Sequence, residues 1–239
     1  MRTLYGMRQS PWTEKARWAL DHHGIAYVYK EHVPLLGELG LRRKVGGAKA
    51  SVPLLLDGEQ FLPTALAIAR YADRIGRGPP LFPRAADEAV VDFADLSDVI
   101  IGIGRMRVLA TLRTDRAAQR EALPSFIPGP ARSAFWPMAF VGARFLASKY
   151  DVSTDIDGEI ERTLRPALER IRRDLAGKPF LLHAFSFADV AIASALHTLR
   201  PTTQSDLGPA TRAAWTNEPL AREFEDLLMW RDAIYAKHR

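Results

Sequence analysis

Ser51-Val-Pro-Leu-Leu-Leu-Asp-Gly58, running on to Phe61 and the helical pattern after Pro63, is the stretch whose reading decides the fold. Val52-Pro53 stands at the start of a short buried strand. Leu54, Leu55 and Leu56 are an apolar run of strand length, and Asp57-Gly58 is a hairpin turn signal. Proline donates no hydrogen bond to a sheet ladder, so Pro53 belongs at a strand start or an edge. X-Pro bonds are also the ones that turn cis at low cost. A cis bond here would present the backbone N–H and C=O of Val52 to a ligand.

Working outward from that backbone, Thr3-Leu-Tyr5 suits a first strand and Gly6 to Gln9 a loop. Ser10-Pro11 is a helix start, with serine at the N-cap and proline at the first helical position. Ala16, Trp18, Ala19 and Leu20 supply the apolar stripe, and Gly24 ends the helix. His22-His23 read as a last-turn pair rather than metal ligands, because helix neighbours do not face each other. Ile25 to Val33 is a second strand, and residues 35–50 a short irregular helix and loop. After the hairpin, a helix from about Thr64 to Ile75 buries Ala65, Ile68, Ala69 and Ala72. The order is therefore β-α-β-α-β-β-α, with the opening strands joined by a right-handed parallel crossover.

Gly76 to Pro83 holds three prolines and two glycines and reads as a linker, after which no strand signal persists. The expected organisation is an α/β domain over residues 1–76, a linker over 77–86 and an all-α helical bundle over 87–239. Helices are expected over 85–112, 131–149, 157–176, 186–199 and 219–237, with Pro137 kinking the second or marking its real start. Ser186 and Asp189 form a capping box with Asp in place of Glu, and Phe185 and Val190 the accompanying staple. The following helix is apolar nearly all round, so it is expected at the centre of the bundle. Asp189 is read as structural, not catalytic.

The chain has 239 residues and a net charge of +5 from 33 basic and 28 acidic side chains. The absence of cysteine excludes disulfides, thiolate metal sites and a cysteine nucleophile. No signal-peptide pattern opens the sequence, and no apolar run approaches the ~18 residues of a membrane span. A cytoplasmic protein is expected, with no metal and no membrane or nucleic-acid partner. The compact basic runs Arg42-Arg43-Lys44 and Arg172-Arg173 read as solvated helix faces, since no aromatic side chains sit among them.

The order and spacing of Val52-Pro53, Asp57-Gly58, Ala67-Ile68, Tyr71, the linker and the Ser186–Asp189 cap resemble the cytosolic glutathione S-transferases. Ser10-Pro-Trp-Thr-Glu-Lys-Ala-Arg17-Trp-Ala-Leu20 with Gly24-Ile25 is similar to the opening of the omega, zeta and related bacterial classes. Serine stands here where thioredoxin-like redox relatives carry cysteine. The resemblance implies a thioredoxin-like first domain, glutathione as co-substrate, a small-molecule electrophile and a homodimer. It places the glutathione sulfur at the N-terminus of the first helix, where the helix dipole and a hydroxyl donor favour thiolate. Ser10 is the best-placed hydroxyl, Thr13 lies one turn in, and Tyr5 ends the first strand. For Ser10 the plain N-cap role and thiolate donation are both open, and one position can serve both. Without cysteine, a mixed disulfide with the enzyme is excluded.

Lys49, Val52, Pro53, Thr64 and Ala65 are the candidate glutathione contacts. The family usually has an acidic residue followed by serine where Thr64-Ala65 stand. Here a helix N-terminus still attracts a carboxylate, but no negative charge meets the α-amino group. Arg43 and Lys44 join Lys49 as candidates for the glycyl carboxylate. Trp12, Arg105 and Met106 are the candidate electrophile pocket, with Arg107, Phe135-Trp136 and Trp215 as other candidates. The expected activity is attack of the glutathione thiolate on a hydrophobic electrophile. A glutathione-dependent isomerase or lyase, or a non-catalytic binding module of the same fold, stays open beside it.

Overall fold

The computed structural model describes residues 1–47, 50–124, 127–150 and 152–239. The first half is a four-stranded sheet in the order β2-β1-β3-β4. Strand β1 (Thr3–Gly6) runs parallel to β2 (Val28–Glu31), Thr3 opposite Val28, and antiparallel to β3 (Leu54–Asp57), Leu4 opposite Leu55. Strand β4 (Gln60–Leu62) closes the hairpin, whose turn holds Gly58 at φ +59°, a conformation that favours glycine. The Val52–Pro53 peptide is cis.

Strand alternation sends Leu4 and Leu55 to one face of the sheet and Tyr5, Leu54 and Leu56 to the other. On the first face pack α1 (Pro11–His22) and α3 (Ala65–Ile75), burying Trp18, Leu20, Ile68 and Ala72. On the second packs α2 (Glu38–Lys44), with Leu41 and Val45 against Leu54. Ala65, Ile68, Ala69 and Ala72 are all buried, as the helical spacing predicts.

The second half is helical. Helix α4 (Asp87–Thr114) leads to α5 (Arg116–Glu121), whose first N–H groups bond the Asp115 carboxylate, and then to α6 (Arg132–Lys149). The short α7 (Ile156–Glu159) passes through a π-helical turn at Ile160–Leu164 into α8 (Arg165–Leu175). Helix α9 (Phe187–Ala195) is central, with every residue buried. Helices α10 (Pro209–Trp215), α11 (Glu218–Glu223) and α12 (Glu225–His238) finish the chain. Among the described residues no helix is long and apolar enough to cross a membrane.

Several boundaries differ from the sequence reading. Strand β2 is shorter than the alternation over 25–33 suggested. Pro137 lies inside α6, which begins at Arg132. The helix expected over 219–237 breaks at Phe224, which is wholly buried and turns the chain between α11 and α12. The short helices α5 and α10 lie outside all the expected spans, because six or seven residues carry too little periodicity to read.

The two halves share one core. Leu4 and Trp18 lie in the same buried cluster as Val190 and Ala191 of α9. Lys15 of α1, 2% exposed, donates to Ser97 Oγ (2.8 Å) and pairs with Asp98, both on α4. The Trp18 indole N–H reaches the carbonyl of His238 at 3.0 Å.

His197, just after α9, stands edge-on to Trp215 at 5.3 Å, and its Nε2 is buried without a partner. Burial, and then Arg231 and Arg212, push its pKa down to about 3 from the ordinary 6.5. A depressed histidine keeps its full contribution above the unfolded pKa and loses it as pH falls towards the folded one. Stability should therefore fall between pH 6.5 and 3, by no more than about 1.4 kcal/mol per pH unit from this group. Urea midpoints at pH 7 and pH 5 should converge in His197→Gln; an unchanged pH slope in that variant would clear His197 as the source.

Candidate active site

One cavity of roughly 460 Å³ lies where the two halves meet. Its floor comes from the ends of elements: the loop Met7–Ser10 before α1, Ser51–Pro53 before β3, and Pro63–Ala65 at the start of α3. Trp12, Arg105 and Tyr150 form one wall, and Val108, Leu109 and Leu112 of α4 with Leu123, Met138 and Leu146 form an apolar roof.

Ser10 occupies the N-cap of α1 (φ −88°, ψ 122°), and its carbonyl accepts the Glu14 N–H at 3.0 Å. Its hydroxyl makes no capping hydrogen bond, so it is not consumed by the helix. Thr64 is the N-cap of α3, and its Oγ1 accepts the Ala67 N–H at 3.1 Å. The Thr64 hydroxyl proton is left over for another acceptor.

At the far end α6 clasps α2. Lys149 Nζ lies 2.9 Å from both oxygens of Glu38 and 3.0 Å from the carbonyl of Ala50. Glu38 Oε1 also lies 3.3 Å from His32 Nε2. Burial pushes the His32 pKa down, against the pull of Glu38.

Ser10, Trp12, Val52, Pro53, Thr64, Ala65 and Arg105, all singled out in the sequence, line this cavity together. Trp215 joins them. Three other sequence expectations need correction. Thr13 is 1% exposed and is not among the lining residues, and its Oγ1 accepts the Met7 N–H at 3.1 Å, so it holds the β1–α1 loop. Tyr5 points to the opposite sheet face, packed with Leu41, Val45 and Leu54 under the Lys44 ammonium (5.6 Å from the ring). Met106 follows Arg105 on α4 but is not among the lining residues, because each helical residue rotates the side chain by about 100°. Arg107 is taken up by the carbonyls of Trp215 (3.3 Å) and Thr216 (2.6 Å). Phe135 is exposed, and Trp136 lies under Arg116 at 4.9 Å. Arg43 and Lys44 are exposed and away from the cavity. Lys49 lies outside the described residues.

Sequence reasoning missed His32, Glu38, Lys149 and Tyr150. Glu38 lies in the first turn of α2 and Lys149 in the last turn of α6, places where such charges are ordinary partners of the helix dipole. Only the tertiary fold brings them into one contact.

Comparison with known proteins agrees with this geometry. Residues 4–80 match the family model described as glutathione S-transferase, N-terminal domain. Glutathione S-transferase Z1 of Arabidopsis thaliana is 31% identical over 111 residues, covering 46% of this chain and 50% of that protein. The match thus spans about half the length of that curated relative. A glutathione S-transferase from Methylobacillus flagellatus KT, solved with GSH bound, superposes with a TM-score of 0.60 at 17% identity, over 98% of this chain and 94% of that one. The beta-etherase LigF from Sphingobium sp. strain SYK-6 superposes at 0.66 with 14% identity, over 99% and 95%. Residues 4–80 thus carry a glutathione S-transferase N-terminal domain, and the chain shares the fold of solved glutathione S-transferases along nearly its whole length.

Proposed function

We propose that the chain is a glutathione transferase that activates the glutathione thiol at the N-terminus of α1 and directs it at a hydrophobic electrophile. The observation that carries this reading is the convergence on one cavity of the Val52 backbone, the α3 N-terminus at Thr64-Ala65 and the α1 N-terminus at Ser10. The cysteinyl backbone of the tripeptide pairs with the N–H and C=O of Val52. Its γ-glutamyl carboxylate meets the first N–H groups of α3 and the Thr64 hydroxyl. The thiol loses its proton to solvent, and the dipole of α1 and the Ser10 hydroxyl stabilise the thiolate. The sulfur then forms a bond to an electrophilic carbon, whose leaving group departs with the bonding pair. The roof of aliphatic side chains suits an apolar electrophile and keeps water from the reacting pair.

A glutathione titration followed by tryptophan fluorescence and checked by calorimetry tests the reading, with Trp12 in the lining as the reporter. Saturable binding below about 1 mM is expected, a KM-like range for a working co-substrate. No binding at millimolar glutathione would sink it. An isomerase or lyase would bind glutathione equally and be told apart by its products.

The homodimer implied by the resemblance belongs to this proposal. Phe61 of β4, Ile75 of α3 and Val99 of α4 leave apolar side chains exposed, at 42%, 40% and 44%. The solution mass measured with the titration should be that of two chains; a monomer would remove the dimer.

A further inference from the structure

Arg105 projects from the middle of α4 into the wall of the cavity, its guanidinium 5.0 Å from the ring centroid of Trp12 and 4.1 Å from that of Tyr150. Its Nε is fully buried and has no hydrogen-bond partner. Among the described residues the guanidinium meets no carboxylate and no carbonyl. The other cations of the lining are committed: Lys149 to Glu38 and the Ala50 carbonyl, and Arg8 to Asp206 at 3.5 Å. Two of the acids of the lining are committed too. Asp98, two turns back along α4, pairs with Lys15, and Glu38 holds Lys149 and His32. Two residues further on, Arg107 is satisfied by two carbonyls, so α4 is able to pair an arginine where nothing else is wanted.

Arginine stays protonated in proteins. Burial pulls the Arg105 pKa down, and only Tyr150 pulls it back. A cation withdrawn from water without a counter-charge destabilises the empty site, and an anion delivered to it relieves that cost. The two aromatic rings flank the guanidinium, whose fork of donors matches a planar, two-oxygen acceptor. The same cavity is lined by the apolar side chains of Val108, Leu109, Leu112, Leu123, Met138 and Leu146.

We propose that Arg105 anchors a carboxylate on the second substrate, so that the cavity selects amphipathic organic acids, apolar along their body with one carboxylate at the end. The identity of these acids as electrophiles for glutathione rests on the function proposed above. Their binding does not, so the two can be tested apart.

The test uses the full chain without glutathione and two probes of matched shape, 4-phenylbutyrate and 4-phenyl-1-butanol, followed by tryptophan fluorescence and calorimetry. A charge-assisted, bidentate hydrogen bond predicts that the acid binds about 10-fold to 100-fold more tightly than the alcohol. Arg105→Met should abolish this preference, and Arg105→Lys should keep part of it while losing the fork. Both variants are checked by thermal melting, and the lysine variant serves if the methionine variant does not fold. Equal affinity of the two probes for the wild-type protein would overturn the proposal. So would a preference for the acid that survives in Arg105→Met. A separate glutathione titration of Arg105→Met closes the remaining route: weakened glutathione binding there would assign the guanidinium to a carboxylate of the tripeptide and overturn the proposal. Selective acid binding by a protein that ignores glutathione would support Arg105 as the anchor and sink the transferase reading alone.

Discussion

Asp189→Ala should destabilise the protein by about 3–5 kcal/mol, the range expected when one partner of a buried charged network is removed. Asp189 is fully buried at the start of α9. One carboxylate oxygen accepts the Leu181 N–H at 2.8 Å, and the other accepts the Ser186 N–H at 2.9 Å and the Ser186 hydroxyl at 3.1 Å. Alanine strands all these donors in the buried segment that leads into α9, and each buried orphan costs about 1–3 kcal/mol. Because α9 packs against both core clusters, the loss spreads to both halves of the molecule.

The pH dependence of that deficit has a defined sign. Burial raises the Asp189 pKa to about 6, against hydrogen bonds that lower it. A raised carboxyl contributes fully below its unfolded pKa, and part of that contribution is lost as pH rises through 6. The deficit of Asp189→Ala, measured by urea unfolding, should therefore be larger at pH 5 than at pH 8. A deficit under 1 kcal/mol at both would show that α9 is held by its apolar packing alone. Asp189→Asn should fall between, since its amide nitrogen must face a donor.

Ser10→Ala should lower kcat/KM about 10-fold to 100-fold, the effect of one hydrogen bond to a charged atom. Glutathione KM should change little, because the tripeptide backbone is held elsewhere. The pH–rate profile should shift upwards, as a thiol without its hydroxyl donor ionises less readily. Stability separates this from a plain capping role. An N-cap serine that bonds the helix is worth ~1 kcal/mol, but the Ser10 hydroxyl makes no such bond, so the variant should match the wild-type stability to within a few tenths of a kcal/mol. Unchanged turnover beside a loss near 1 kcal/mol would reverse the assignment and leave thiolate stabilisation to the backbone of α1.

These two residues mark how far the sequence could be read. The role of Asp189 was legible because a capping box is a matter of four residues and one turn. The position of Ser10 was legible for the same reason, with Pro11 beside it. Its function was not, since whether an N-cap hydroxyl bonds its own helix depends on a rotamer. Thr13 and Tyr5 show the opposite failure. Both carry a hydroxyl near the right place in the chain, yet one is turned into the β1–α1 loop and the other onto the far face of the sheet. A strand flips its side chains every residue and a helix swings them by about 100°, so adjacency in sequence does not predict which surface a group reaches.

By itself the sequence determined the order of the first seven elements along the chain, the start of α1 at Ser10-Pro11, the hairpin at Asp57-Gly58, the helix starting at Thr64 and the buried α9. All of these depend on interactions between residues a few positions apart, where turn geometry, capping and periodicity act. The tertiary structure alone decided that Arg105 lies beside Trp12 and Tyr150 with no acid to meet it among the described residues, and that Lys149 closes the cavity against Glu38. Those contacts join segments far apart in the chain. Whether a charge is paired there is settled by packing across the cavity, for which no local pattern exists.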